Sequence, residues 1–97
     1  MNRATVMEML KRNSEIIRTR FGARRLSLFG SAARDEMRDD SDVDILVEFD
    51  GSPTFDGYMG LLAYLEELMH AKVDLATEAM IKPRLRAYIE KDLVRVA

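Results

Sequence analysis

The chain has 97 residues, of which 33% are charged and 47% apolar, a composition typical of one soluble globular domain. Its net charge of −2 gives no global field that would attract nucleic acid, so we expect no direct nucleic-acid binding. The absence of cysteine excludes disulfides and thiolate metal sites and fits a reducing cytosol. The first ten residues carry Arg3 and Glu8 and are too polar for a signal peptide or a membrane span. We therefore predict a single cytoplasmic domain over residues 1–97, without membrane contact.

The first half of the chain predicts a helix, a strand and a turn. Apolar residues recur at helical spacing over residues 3–21, and a glycine follows as a helix stop. Residues 24–29 (RRLSLF) are short and alternating, which predicts a strand that ends at the Gly30-Ser31 turn. A brief helix over residues 32–36, capped at this turn, would follow.

The second half predicts two more strands and two helices. Residues 43–49 alternate between apolar and polar side chains and predict a strand. A helix over residues 53–69 would follow, with Ser52 as its N-cap. Residues 72–77 (KVDLAT) predict a third strand, and residues 83–92 a last helix that opens on a proline. The order αβ(α)βαβα predicts an α/β (α+β) fold, with a small mixed sheet of about three strands packed against helices.

Four aspartates lie among the six residues from Asp39 to Asp44, at the start of the second predicted strand. Asp42 and Asp44 are two residues apart, so their side chains share one face of the strand while the residue between them points to the core. Two like charges so close raise each other's pKa unless a cation lies between them. Mg²⁺ takes such carboxylate ligands and completes its coordination with water and phosphate. The pair therefore predicts a magnesium site.

Asp74 repeats this pattern on the third predicted strand, between the apolar residues Val73 and Leu75. If that strand pairs beside the second one, Asp74 falls next to Asp42 and Asp44. Three carboxylates on adjacent strands can hold two metal ions, an arrangement used for in-line phosphoryl chemistry. The sequence therefore offers three candidate ligands for two Mg²⁺ ions.

Two other interpretations apply to the acidic segment. Asp39 and Asp40 fit an ordinary solvated loop. A calcium-binding loop that began at Asp40 would need glycine at its sixth position and glutamate at its twelfth, where the chain has Ile45 and Gly51. A calcium loop of this type is therefore excluded.

The Gly30-Ser31 turn has two interpretations, a phosphate-binding turn and a simple helix cap. A turn of this composition between a strand and a helix presents backbone N–H groups and a hydroxyl to an anion. A small first residue also lets a phosphate approach the backbone closely. The joint pattern, in which Asp-Val-Asp follows after ten residues, favours phosphate binding.

This joint pattern resembles the signature of the DNA polymerase β-like nucleotidyltransferase superfamily. Within it, the chain resembles the minimal nucleotidyltransferase (MNT) group, the MntA-type antitoxins paired with HEPN-domain toxins. The resemblance extends through KVDLAT to the segment IKPRLRAYIEKDLVRV. It implies the nucleotidyltransferase fold, with three catalytic, metal-binding aspartates and a turn that holds the nucleotide's phosphates, here Asp42, Asp44, Asp74, Gly30 and Ser31.

The resemblance also implies an activity. The chain would transfer AMP from ATP, with two Mg²⁺ ions, to a tyrosine hydroxyl of a cognate HEPN ribonuclease toxin and so act as its antitoxin. Asp42 and Asp44 would bridge the ions, while Asp74 would hold the one that activates the hydroxyl and accept its proton. A non-enzymatic antitoxin that neutralises the toxin by binding and occlusion is the alternative. Transfer to a small molecule such as an aminoglycoside is disfavoured, because the chain has no room for an acceptor-binding domain.

Two further residues have open interpretations. Arg34 follows the Gly30-Ser31 turn by three positions and either reaches a phosphate or lies on a solvated helix face. Tyr58 belongs to an apolar stripe at helical spacing that predicts core packing. Within residues 50–60, an exposed Tyr58 would instead suit a partner-binding surface.

Overall fold

The computed structural model describes residues 1–96, which form five α-helices and a four-stranded mixed sheet. The helices are α1 (Arg3–Arg12), α2 (Ser14–Phe21), α3 (Gly30–Ala33), α4 (Phe55–Met69) and α5 (Pro83–Lys91). The strands are β1 (Ala23–Leu28), β2 (Val43–Phe49), β3 (Val73–Ala76) and β4 (Val94–Arg95), and a 3₁₀ turn covers Glu78–Met80. The predicted fold class is confirmed.

The sheet has the strand order β3-β2-β1-β4. Strand β1 pairs antiparallel with both β2 and β4, whereas β2 and β3 are parallel. The prediction of about three strands missed β4, which has only two residues and is too short to show an alternating pattern. Beyond β4, the Val96 N–H donates to the Leu26 carbonyl at 2.9 Å and continues the pairing with β1.

The predicted helix over residues 3–21 is wrong in one respect, because it breaks at Asn13 into α1 and α2. Asn13 has φ −104° and ψ 8°, outside the helical range, and its side-chain amide donates to the Met9 carbonyl at 2.8 Å. Asparagine side chains compete in this way for the backbone groups that a continuous helix would use.

Two predicted helix starts were also wrong. Helix α4 begins at Phe55, and its N-cap is Thr54 rather than Ser52, because the Thr54 hydroxyl accepts from the Gly57 N–H at 2.9 Å. The brief helix predicted over residues 32–36 is α3, which begins two residues earlier and ends at Ala33. It cannot continue through Asp35, whose φ is +59°.

The core lies between one face of the sheet and helices α1, α2 and α4, with the two alanines of α3 at its edge. Val43, Ile45 and Val47 of β2 are buried in it. The intervening residues of β2 therefore point to the opposite face, where α5 lies without a single buried residue. Among residues 1–96, no helix is both long and apolar enough to cross a bilayer. The sheet face away from the core therefore carries the polar side chains of β2 that could contact a ligand.

Candidate active site

Two aspartates face each other across the parallel strands β2 and β3. Asp44 is directly in register with Asp74, just as Val43 is with Val73. Both valines are buried, so the two aspartates point out of the sheet face away from the core. The third predicted strand therefore pairs beside the second one, which is what a position of Asp74 next to Asp44 requires.

The Asp44 carboxyl group is held in an unfavourable environment for a charge. Burial, with the neighbouring charge of Asp74 as the next cause, raises the pKa of Asp44 from 3.8 to about 6. The charge of Asp42 acts in the same direction, whereas Arg34 opposes it. The three carboxylates therefore share one electrostatic environment, in which a bound cation would relieve their repulsion.

The donor set fits a hard divalent cation, since Mg²⁺ prefers carboxylate oxygens. Within residues 1–96, no three His, Cys, Asp or Glu side chains are already gathered closely enough to enclose an ion. Asp42 and Asp74 are exposed, whereas Asp44 is half-buried. The two exposed side chains can therefore turn toward Asp44 without unpacking the core, and Asp44 is the fixed member of the set.

The turn after β1 is built around the Asp44 side chain. Gly30 has φ +60°, and a Cβ atom at this position would overlap the Asp44 carboxylate. The N–H of Phe29, the residue before it, donates to the Asp44 carbonyl at 3.0 Å. Ser31, which is half-buried, is the next residue of α3. The structure thus brings the Gly-Ser turn and the second aspartate of the Asp-Val-Asp segment together, as a joint phosphate and metal site requires.

Arg34 lies at the end of α3, on the rim of the same site. Its Nη1 donates to Asp92 Oδ2 at 3.0 Å, and its Nε donates to Glu36 Oε1 at 3.0 Å. Both ion pairs are solvent-exposed, so each contributes little to stability and either can give way to a phosphate. The phosphate-binding interpretation of Arg34 stays a prediction.

Tyr58 of α4 lies next to the strand that carries Asp74. It is half-buried, so the expectation of an exposed Tyr58 is wrong. Its hydroxyl donates to the Leu75 carbonyl, and burial, followed by the charge of Asp74, raises the pKa of the Tyr58 hydroxyl. The tyrosine is therefore fixed by a hydrogen bond to β3 and is not part of an adaptable surface.

An apolar cleft of about 250 Å³ is lined in part by Asp44 but not by Asp74. Its lining includes Phe29 and Gly30, and helix α5 with its C-cap Asp92 forms one wall. The wall residues, none of which was predicted as a site residue, are Leu85, Tyr88, Ile89 and Asp92. Their spacing of i, i+3, i+4 and i+7 indicates a single helix face. That spacing was visible in the sequence, but it did not show that the face lies beside the aspartates.

The sequence matches known proteins over most of its length. A family model of the nucleotidyltransferase domain covers residues 10–96. Protein adenylyltransferase MntA of Thermococcus cleftensis is 35% identical over 91 residues, which are 94% of this chain and 92% of that protein. A Methanocaldococcus jannaschii protein, provisionally assigned as a protein adenylyltransferase, is 39% identical over 94 residues, with 94% of each chain covered.

Solved structures share the fold. A provisionally assigned minimal nucleotidyltransferase superposes with a TM-score of 0.81 at 34% identity, covering 97% of this chain and 95% of that one. A chain of a toxin–antitoxin complex with AMP-PNP has a TM-score of 0.70 at 18% identity, covering 100% and 73%. A chain of the complex between tri-AMPylated Shewanella oneidensis HEPN toxin and its MNT antitoxin has a TM-score of 0.63 at 19% identity, covering 93% and 71%. At such low identity, the two complexes show the likeness of fold alone.

Proposed function

The chain belongs to the nucleotidyltransferase family, in its minimal group, and from this premise we propose that it transfers AMP from ATP to a tyrosine hydroxyl of a cognate HEPN ribonuclease toxin. As a member of this family it is an enzyme, with relatives that are protein adenylyltransferases. The modification would silence the toxin, so the chain would act as an antitoxin.

The observation that carries the proposal is the position of Asp44. Its carboxylate lies against Gly30 of the Gly-Ser turn, and its residue is in register with Asp74 on the neighbouring strand. Asp44 is therefore next to both features that nucleotidyl transfer needs, a turn that can bind phosphates and a second carboxylate. An aspartate in an ordinary solvated loop would have neither neighbour.

The relatives support the choice of substrate and partner. The Thermococcus cleftensis relative is a protein adenylyltransferase, and proteins of the same fold occur in a toxin–antitoxin complex with AMP-PNP and in a complex with an AMPylated HEPN toxin. AMP-PNP is an ATP analogue, which favours ATP as the donor. The tyrosine acceptor follows from the resemblance to the minimal nucleotidyltransferase group.

The proposed reaction forms a bond between the tyrosine oxygen and the α-phosphorus of ATP and breaks the bond from that phosphorus to the α,β-bridging oxygen. Pyrophosphate leaves, and the tyrosine proton passes to a carboxylate oxygen of Asp74. Gly30 and Ser31 hold the triphosphate through the backbone N–H groups and the hydroxyl of the turn at the start of α3. Such chemistry depends mainly on positioning and charge stabilisation, so few further side chains are needed.

Asp42, Asp44 and Asp74 would hold Mg²⁺. When bound, Mg²⁺ neutralises the triphosphate and lowers the pKa of the attacking hydroxyl. Asp44 fixes the position of the site through its contact with Gly30. Asp74, which is exposed at the edge strand β3, can meet an acceptor presented by a partner protein.

The test is to incubate the chain, in catalytic amounts, with an excess of a candidate cognate HEPN-type ribonuclease, ATP and Mg²⁺. We expect the ribonuclease to gain the mass of one or more AMP groups on tyrosine and to stay inactive after this chain has been removed. The matched controls are Asp44→Asn, which removes the central carboxylate, and Asp40→Asn, which removes one charge from the exposed loop before β2.

The alternative, neutralisation by binding and occlusion, predicts the opposite results in this test. If protection requires a stoichiometric complex, disappears when the chains are separated and leaves the partner's mass unchanged, the chain neutralises its partner by binding. The enzymatic proposal would then be abandoned.

A further inference from the structure

The cleft beside Asp44 has a composition that the proposed transfer reaction does not yet explain. Leu85 and Tyr88 are 45% and 66% exposed, although they belong to the helix face that borders the site. Helix α5 has no buried residue and therefore gains little from covering the sheet. An apolar helix face that is left open next to a polar site indicates a ligand with a flat apolar surface.

We propose that this cleft, defined by Phe29, Leu85, Tyr88 and Ile89 on its apolar side and by Arg34 and Asp92 at its polar end, binds the purine base of the donor nucleotide, with the base stacked on Tyr88. The inference rests on the proposed function, because it names the place of the donor within that reaction. It adds a binding site in α5 to the aspartates and the Gly-Ser turn.

The size of the cleft favours a base over a larger group. Its volume of about 250 Å³ lies below the ~300–1,000 Å³ of pockets that enclose a whole drug-sized ligand. It therefore has room for one flat ring system, with ribose and phosphates outside. Gly30 is both a lining residue of the cleft and the first residue of the phosphate-binding turn, so a base in the cleft leaves its phosphates beside Asp44.

The chemistry of the walls also matches a base. A purine has apolar faces and a polar edge, and the cleft has apolar walls with an ion pair between Arg34 and Asp92 at one end. Stacking on an aromatic side chain strengthens the binding of a base, and it does not depend on which base is bound. Tyr88 is the aromatic side chain of α5 that can supply it.

The position of the cleft decides between the donor base and the acceptor ring of the partner. In the order β3-β2-β1-β4, Asp74 lies on one side of Asp44, whereas the turn after β1 lies on the other. The acceptor hydroxyl must approach Asp74 to lose its proton. A group in the cleft lies on the far side of Asp44 from Asp74, so it belongs to the donor.

The experiment compares two ligands on the isolated chain by titration calorimetry, ATP with Mg²⁺ and inorganic triphosphate with Mg²⁺. We expect Tyr88→Ala to weaken ATP binding about tenfold, which corresponds to ~1.4 kcal/mol, and to leave triphosphate binding unchanged. Tyr88→Phe keeps the ring and should restore ATP binding. Met80→Ala, which removes an apolar side chain that is 56% exposed outside the cleft, is the matched surface control.

A second readout uses the triphosphate of 2-aminopurine riboside, whose fluorescence falls when the base stacks. We expect quenching with the wild-type chain and with Tyr88→Phe, and none with Tyr88→Ala. Because this measurement needs no partner and no transfer, quenching that depends on Tyr88 supports the cleft even if no acceptor is ever modified.

Three results would overturn the assignment. The first is equal weakening of ATP and triphosphate by Tyr88→Ala. The second is a Tyr88→Ala variant with unchanged ATP binding and a raised KM for the partner, which would show that the cleft binds the acceptor. The third is a wild-type chain that binds triphosphate and ATP with the same affinity, because the base would then contribute nothing.

Discussion

Gly30 and Asp44 are packed so closely that the Asp44 carboxylate occupies the space of any side chain at position 30. We therefore expect Gly30→Ala to displace the carboxylate and to lower transfer by ~100-fold, the cost of a misplacement of about 1 Å. Because Gly30 has φ +60°, the alanine should also lower the free energy of unfolding by about 1–2 kcal/mol through backbone strain. Urea denaturation and a transfer assay measure the two effects.

Gly51 provides the control for this substitution. It has φ +74°, but a Cβ atom there would meet nothing within 4 Å. Gly51→Ala should therefore show the backbone cost alone, with transfer unchanged. Equal activity in the two alanine variants would contradict the view that Gly30 is required by its contact with Asp44.

Removing the Asp44 charge should stabilise the metal-free protein at neutral pH. The pKa of about 6 in the folded state lies above the ordinary value of 3.8, so the folded chain binds this proton more tightly than the unfolded chain does. The free energy of unfolding therefore falls as pH rises from about 4 to about 6. Asp44→Asn removes this loss of stability. Allowing for solvent screening, we expect the free energy of unfolding to rise by about 1 kcal/mol above pH 6, or Tm by roughly 4–8 °C.

The measurement is a series of thermal unfolding curves between pH 3.5 and 7.5 with a chelator present. Below about pH 4 the variant and the wild type should coincide, since the carboxyl group is then protonated in both states. Asp40→Asn, in the exposed loop, controls for the loss of one negative charge. A variant that is less stable than wild type at pH 7 would show that the Asp44 charge supports the fold.

Asp74→Asn should separate turnover from nucleotide binding. The triphosphate is still held by Gly30, Ser31 and the Asp42–Asp44 segment, whereas the proposed proton acceptor is lost. We expect a fall in turnover of ~10²–10⁴-fold with ATP affinity retained. Asp50→Asn, at the opposite end of β2, should leave both unchanged. If Asp74→Asn instead loses ATP affinity and keeps its turnover at saturation, Asp74 lies outside the catalytic centre.

The hydrogen bond from Tyr58 to the Leu75 carbonyl fixes α4 against the strand that carries Asp74. Tyr58→Phe should lower the free energy of unfolding by about 0.5–1.5 kcal/mol, and it should also lower turnover modestly because β3 is less firmly positioned. Tyr64→Phe is the matched control. Its hydroxyl is also partly buried and hydrogen-bonded, to Asn13 Oδ1 at 3.1 Å, but away from the site. Equal turnover in the two variants would limit Tyr58 to a structural role.

The fold class and the two strands that carry the aspartates could be predicted from the sequence, because alternating apolar residues determine which face of a strand is buried. Val43, Ile45 and Val47 face the core as that rule requires, which leaves Asp44 on the opposite face. The helix break at Asn13 could not be read from periodicity, because the apolar spacing continues across it while one side chain caps the backbone.

The residue types that could bind phosphate and metal are visible in the sequence. The shared direction of Asp42 and Asp44 could also be predicted, because the two-residue period of a strand is a local property. The position of Asp74 beside Asp44 required the folded structure, since the parallel pairing of β2 and β3 joins residues 30 positions apart. The same holds for the contact between Gly30 and Asp44 and for the apolar face of α5 that borders the site. These relationships depend on strand order and on how helices pack across the sheet, and both are set by contacts between distant segments.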